Sequence, residues 1–220
     1  MRAIDMLSVS LVIIAFLLAI GSYGNLPDRV PTHWDISGKP DKYDSREMGA
    51  FLIPGIMVVL FVLWEFIPRI AVFKKNFKAH MSEYKQFRAV FLLFFLLVYG
   101  AMLAPHYGIY FHMGQSMLIG IGLLFLYIGQ VLPRFKRNFF VGIRTPWAIA
   151  SDEVWKKTHI LGGKVFKVLG VIMLLSLFLD QKDAFLVMMA SILVGVFGLF
   201  VYSYLEYRKM PASKRNNRFQ

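Results

Sequence analysis

Residues 184–205 read AFLVMMASILVGVFGLFVYSYL, 22 consecutive positions without a charged side chain. A helix rises about 1.5 Å per residue, so about 20 such residues cross a hydrocarbon core of about 30 Å while keeping every backbone hydrogen bond inside the segment. Five further, predominantly apolar stretches precede it, at 6–23, 49–71, 89–104, 115–132 and 165–179. The third and fifth are short for a span. They are expected either to begin earlier, with Lys167 reaching back to the interface, or, for the third, to run past Pro105 towards Phe111 with a kink. The apolar stretch of the first exceeds the core of a cleaved secretory signal. The whole composition agrees, because 57% hydrophobic and 17% charged residues in a chain of 220 exclude both a water-soluble globule and a disordered chain. The absence of cysteine removes disulfides, thiol nucleophiles and thiolate metal sites. The fold class that follows is all-α: a polytopic membrane protein of six transmembrane helices.

The net charge of +12 has a topological explanation. With Arg69 and Lys167 counted in the connections they adjoin, alternate segments beginning with the N-terminus hold 20 of the 25 lysines and arginines, and the intervening segments hold 5. Positively charged connections stay on the cytoplasmic side, so both termini are predicted to be cytoplasmic, including the tail with Arg208, Lys209, Lys214, Arg215 and Arg218. The bilayer is then the partner of this charge, and no direct contact with nucleic acid is expected. The chain divides into an N-terminal two-helix hairpin, 1–72, with a proline-rich extracytoplasmic loop, and a four-helix membrane domain, 73–220, with a cytoplasmic loop at 134–164. Ser191, Gly195 and Gly198 place small surfaces at helical spacing on the sixth span, where a neighbouring helix can approach.

Two connections carry more information than a spacer needs. In the outer one, 26–43, Pro27, Pro31 and Pro40 fix the backbone, Gly38 permits a left-handed turn, and Trp34 can lie at headgroup level, which predicts a compact cap. His33, His106 and His112 fall near this face beside Asp28, Asp35, Asp41 and Asp44, but no spacing forces them together, so neither a metal nor a cofactor is assigned. In the inner connection, Thr145 before Pro146 reads as an N-cap, and Ser151 before Asp152 and Glu153 as a second one, giving two short interfacial helices. Val154, Trp155, Thr158 and Leu161 would turn an apolar stripe to the bilayer. Arg144 stands where a guanidinium can satisfy helix-end carbonyls or clamp a carboxylate or phosphate.

Pro31, His33, Trp34, Gly38, Pro40 and Asp41 resemble a proline-rich segment that follows the first membrane helix in the SdpI family of bacterial membrane proteins. Asn138, Gly142, Arg144, Thr145, Pro146, Trp147, Ser151, Trp155, His159 and Gly163 resemble the C-terminal signature of the same family. The resemblance implies a protein of immunity and signalling. Its cap, Asp35 included, would bind or neutralise a secreted toxic peptide, and its cytoplasmic side would hold a transcriptional repressor at the membrane.

Within the second span Glu65 is costly if unpaired, and Arg69, four residues later on the same face, is its expected partner. Pro68 frees the carbonyl of Trp64, which Arg69 or water would satisfy. No His-Glu-x-x-His, Gly-x-Ser-x-Gly or phosphate-loop motif is present, so a binding protein is favoured over an enzyme. A transporter or channel is the alternative, carried by Pro54, Glu65 and Pro68 in one span. Accessibility labelling in intact cells should find the carboxyl end and residues 144–147 protected by the membrane; labelling of either from outside would overturn the orientation.

Overall fold

The computed structural model describes residues 2–110 and 112–211, so Phe111 and the tail charges Lys214, Arg215 and Arg218 lie outside the described residues. Six helices are long and apolar enough to cross a membrane, and the chain is a multi-pass protein of the cell membrane. They are α1 (Arg2–Tyr23), α2 (Arg46–Ile70), α4 (Met81–Leu103), α5 (Met113–Val131), α7 (Asp152–Leu175) and α8 (Gln181–Arg208). Two short helices, α3 (Lys74–Ala79) and α6 (Pro146–Ala150), stand in the connections, and two strands, β1 (Arg29–Trp34) and β2 (Pro40–Ser45), follow α1. Both short spans begin earlier than their apolar stretches: α4 takes in Arg88, and α7 starts at its Ser151 cap.

One group of helices, α1, α2 and α4, packs around Leu11, Ala15, Ala19, Ala50, Met57, Leu92 and Tyr99. Ser8, Leu11, Ala15, Ala19 and Ser22 recur at three- and four-residue intervals and form the buried face of α1, while Leu7, Ile13, Leu17 and Ile20 point outward. Outward apolar side chains are what a lipid solvent demands.

Two prolines lie inside α2, Pro54 and Pro68. Each removes a hydrogen bond from the carbonyl four residues before it, and in hydrocarbon that oxygen needs a new donor. The hydroxyl of Tyr99 donates to Ala50 O at 2.7 Å, and that of Tyr84 donates to Trp64 O at 2.8 Å. Both tyrosines belong to α4 and are fully buried. The donor to Trp64 is therefore Tyr84, in place of the expected Arg69 or water.

The second group, α5, α7 and α8, is drawn together by close contact between α5 and α7. A Cβ on Gly129 would lie 2.6 Å from Gly163 O, and one on Gly170 would lie 2.7 Å from Gly122 O. Each helix carries its two glycines seven residues apart, two turns on one face, so the backbones meet twice along antiparallel axes. The sixth span contributes less than its small residues promised. Gly195 packs on Val165 and Leu169, whereas Gly198 has open space beside it.

Tyr84→Phe and Tyr99→Phe should each lower stability by about 1–2 kcal/mol, because each strands a buried carbonyl. Adding Pro68→Ala to the first and Pro54→Ala to the second should recover most of that loss, since the restored N–H closes the helix itself; double-mutant cycles from denaturation in detergent would read the coupling.

Candidate functional site

The loop between α1 and α2 folds as an antiparallel hairpin in which Val30 faces Asp44 and Trp34 faces Pro40, with the register slipping around His33. The sequence foresaw a compact cap but not its strands. Asp35 makes the turn: its Oδ1 accepts from the backbone N–H of Ser37 at 2.8 Å and of Lys39 at 2.9 Å, and Gly38 takes a φ of 74°. Across the strands, Thr32 donates to Asp44 at 2.6 Å and His33 Nδ1 meets Asp41 Oδ1 at 2.6 Å. The Thr32 hydroxyl, with Lys42 beside it, holds the Asp44 carboxyl below its ordinary range. The hairpin is fixed to the bundle by Val30, fully buried against Gly49 of α2, where a Cβ would come within 2.6 Å. Arg46 to Asp28 at 2.6 Å and Tyr23 to Glu47 at 2.8 Å close its base. Pro31 is half-buried in β1, and Pro40 opens β2 at an edge where no N–H is needed.

Beneath the hairpin, among the ends of α2, α4, α5 and α8, lies a cavity of about 660 Å³. Its walls are apolar and rich in methionine: Met48, Met102, Met113, Met117 and Met188. Thr32, His33, Trp34, Asp35, Gly38 and Asp41 face it from the hairpin. Gln181, the first residue of α8, fits under the Gly38 turn, where a Cβ would lie 3.3 Å from its Cγ. Five of the expected cap residues thus converge on one space: His33, Trp34, Asp35, Gly38 and Asp41. The methionines and Gln181 escaped the sequence reading because nothing in a uniformly apolar span marks which face borders a void. Among the described residues no three His, Asp or Glu side chains converge as metal ligands.

At the opposite end the signature residues are spent on holding the loop's own backbone. Asn138, fully buried, donates to Lys136 O and Val141 O and accepts from the N–H groups of Phe140 and Val141, a complete set for an amide. Trp155 Nε1 donates to Phe135 O at 2.8 Å and its ring stacks on His159 at 4.0 Å. His159 Nδ1 donates to Trp155 O at 2.8 Å, leaving Nε2 to accept from Ile143 N at 3.1 Å, so the ring is neutral with its proton on Nδ1. Gly142, at φ 110°, is where the loop crosses that ring: a Cβ there would fall 2.3 Å from Nε2. Thr145 caps α6 through Ala148 N at 3.1 Å, Pro146 takes its first position, and Ser151 caps α7 through Val154 N at 3.4 Å. Trp147 packs on Phe200 and Tyr204 of α8, and Arg144 donates to Phe139 O at 2.8 Å from an exposed position.

Two expectations are corrected here. The second short interfacial helix is instead the start of α7, and Val154, Trp155 and Thr158 turn inward, since the indole N–H and the imidazole find their partners in the loop rather than in lipid. Glu65 does not pair with Arg69, which is exposed. Its partner is Arg88 of α4, whose guanidinium is 1% exposed and also bonds Asp5 at 2.7 Å and Ser8 at 3.1 Å, with Lys85 reaching Asp5 at 2.7 Å. A buried guanidinium without counter-charges is far costlier than an arginine at an interface, so Arg88 draws both acids.

A bundle of six spans, with a folded lid over an apolar cavity at one end and a basic loop at the other, defines an integral membrane protein. Residues 134–203 match the SdpI/YfhL protein family, and residues 10–58 match a domain of unknown function, DUF1648. Immunity protein SdpI of Bacillus subtilis (strain 168) is 24% identical over 212 residues, covering 96% of this chain and 99% of the relative. The uncharacterized membrane protein YbgB of the same organism is 35% identical over 60 residues, 26% of this chain and 66% of that protein. No solved structure matches. The likeness to the SdpI/YfhL family lies in residues 134–203, and the likeness to Immunity protein SdpI runs along nearly the whole chain.

His80, between α3 and α4, supplies a pH test. It is buried against Phe77 and Phe135, its Nδ1 accepts from Lys136 N at 3.3 Å, and burial pushes its pKa below the ordinary 6.5, with Glu83 opposing and Lys136 adding to the shift. The folded form therefore resists the proton that the unfolded chain accepts, and stability falls as pH drops from about 7 through 6.5, at most by about 1.4 kcal/mol per pH unit. The melting temperature of His80→Asn should depend less on pH between 7.5 and 5.5 than that of the parent protein.

Proposed function

We propose that this protein is an immunity protein of the cell membrane, which binds or neutralises a membrane-active antimicrobial peptide at its hairpin end. The observation that carries the reading is the likeness to Immunity protein SdpI along 96% of the chain, which takes in the hairpin, the cavity and the loop of 134–164 together. The site supports it. An ordered lid tied down by Val30, Arg46 and Tyr23 offers a preformed surface, and a preformed surface loses little entropy on binding. The charge asymmetry of the connections turns the hairpin outward, where a secreted peptide arrives, and the basic loop inward.

The inward end is the place for a cytoplasmic repressor. The signature residues hold that loop rigid, so a partner would read what remains on its surface, Arg134, Lys136, Arg144 and Pro146, all exposed. Protection and signalling then reside at opposite ends of the bundle, joined by its helices.

In a sensitive host making the protein and challenged with its peptide, Trp34→Ala and Asp41→Ala should each reduce protection about tenfold, the equivalent of about 1.4 kcal/mol of binding, with unchanged protein in the membrane. Arg144→Ala should leave protection intact and release the repressor. Full protection by both hairpin variants would refute the reading; substrate-driven ion flux in proteoliposomes would replace it with a transporter.

A further inference from the structure

The cavity beneath the hairpin has a chemical bias at odds with the rest of the molecule. The chain carries 25 lysines and arginines against 13 acids, yet among the described residues no lysine or arginine lines this space. Its ionisable lining residues are His33, Asp35 and Asp41, all contributed by the hairpin at one end. Asp35 takes both turn N–H groups on Oδ1, and among the described residues no donor is paired with Oδ2. Asp41 has His33 as its partner, and that carboxylate is still 45% exposed. The part of the hairpin that lines the cavity therefore presents negative charge, while Lys39 and Lys42 of the hairpin are not in the lining, and the remainder is apolar apart from Gln181.

Size and shape narrow the occupant. From Met113 to Ile121 the lining of α5 descends eight residues, about 12 Å at 1.5 Å each. A leaflet's acyl chain is longer, about 15 Å, and only one chain wide. An apolar cavity of about 150 Å³ holds one benzene ring, so 660 Å³ accommodates about four rings. Five of the twelve methionines of the chain are in its wall, and methionine adapts to irregular apolar shapes and makes favourable contacts with aromatic rings.

We infer that the cavity is a binding site for a cation carried on a short, bulky, aromatic-rich body: the body lies among the methionines and the positive charge lies beside Asp35 and Asp41. The inference rests on the reading of the hairpin end as the surface that meets the peptide, and supplies the chemistry of the part that enters.

Tetraphenylphosphonium and tetraphenylborate share size and shape and differ in sign, which makes them the probes. The full chain in phosphatidylcholine nanodiscs, with binding to protein-free discs subtracted, should take up one phosphonium ion saturably and prefer it over the borate at least tenfold. Asp35→Asn with Asp41→Asn should reduce that preference below threefold. Met117→Trp, which fills the cavity, should abolish uptake, and Met117→Leu should retain it. Equal uptake of the two ions, or uptake untouched by the paired asparagine substitutions, would overturn the inference, even if Met117→Trp failed to fold. The two readings separate cleanly. Loss of protection in Trp34→Ala without phosphonium selectivity would sink the cavity and leave the immunity role standing, whereas selective uptake with full protection in the paired asparagine variant would establish the cavity and remove it from immunity.

Discussion

Hydrocarbon offers no hydrogen bonds, and every backbone polar group inside it must find a partner in the protein. Helix α2 breaks that rule twice, at Pro54 and Pro68, and α4 mends it twice, through Tyr99 and Tyr84. The pairing fixes more than two carbonyls. Fifteen positions separate the tyrosines along α4, and fourteen separate the carbonyls along α2, so the axial register of one helix on the other is set at two heights. With α2 fixed, Gly49 is positioned to receive Val30, and the hairpin is seated over the cavity.

The other half of the bundle uses a different means to the same end. Glycines at 122, 129, 163 and 170 let α5 and α7 touch backbone to backbone, where dispersion between close-packed atoms replaces a hydrophobic drive that lipid cannot provide. The loop between these helices is held by Asn138, Trp155 and His159, which bond the backbone of Val141, Phe135 and Ile143, and by Gly142, which lets the chain cross the His159 ring. The signature at this membrane face thus acts as a scaffold for the loop.

What the sequence disclosed was local. Thr145 with Pro146, and Ser151 with Asp152, announced helix starts because a cap acts on N–H groups two or three residues away. The spans were legible because lipid imposes one length and one polarity on any helix that crosses it. The hairpin turn was visible in Gly38, although its strands were not, since alternation is blurred by a proline in each strand and a slipped register. Long-range pairing was hidden. Glu65 has a plausible mate four residues away, and only the packing of α4 on α1 and α2 reveals that Arg88, 23 residues on, has the stronger claim. The cavity was hidden for a related reason: a methionine facing a void and one facing lipid look alike in a sequence.

Synthesis runs from the amino end, and Asp5 and Glu65 enter the bilayer on two helices that are complete before Arg88 has been translated. Until α4 arrives, those carboxylates lack the buried guanidinium that bonds both, and once it does, one cation joins three helices at a single node with Lys85 completing the charge balance. The first three spans consequently mature as one unit, whose assembly waits on its last member.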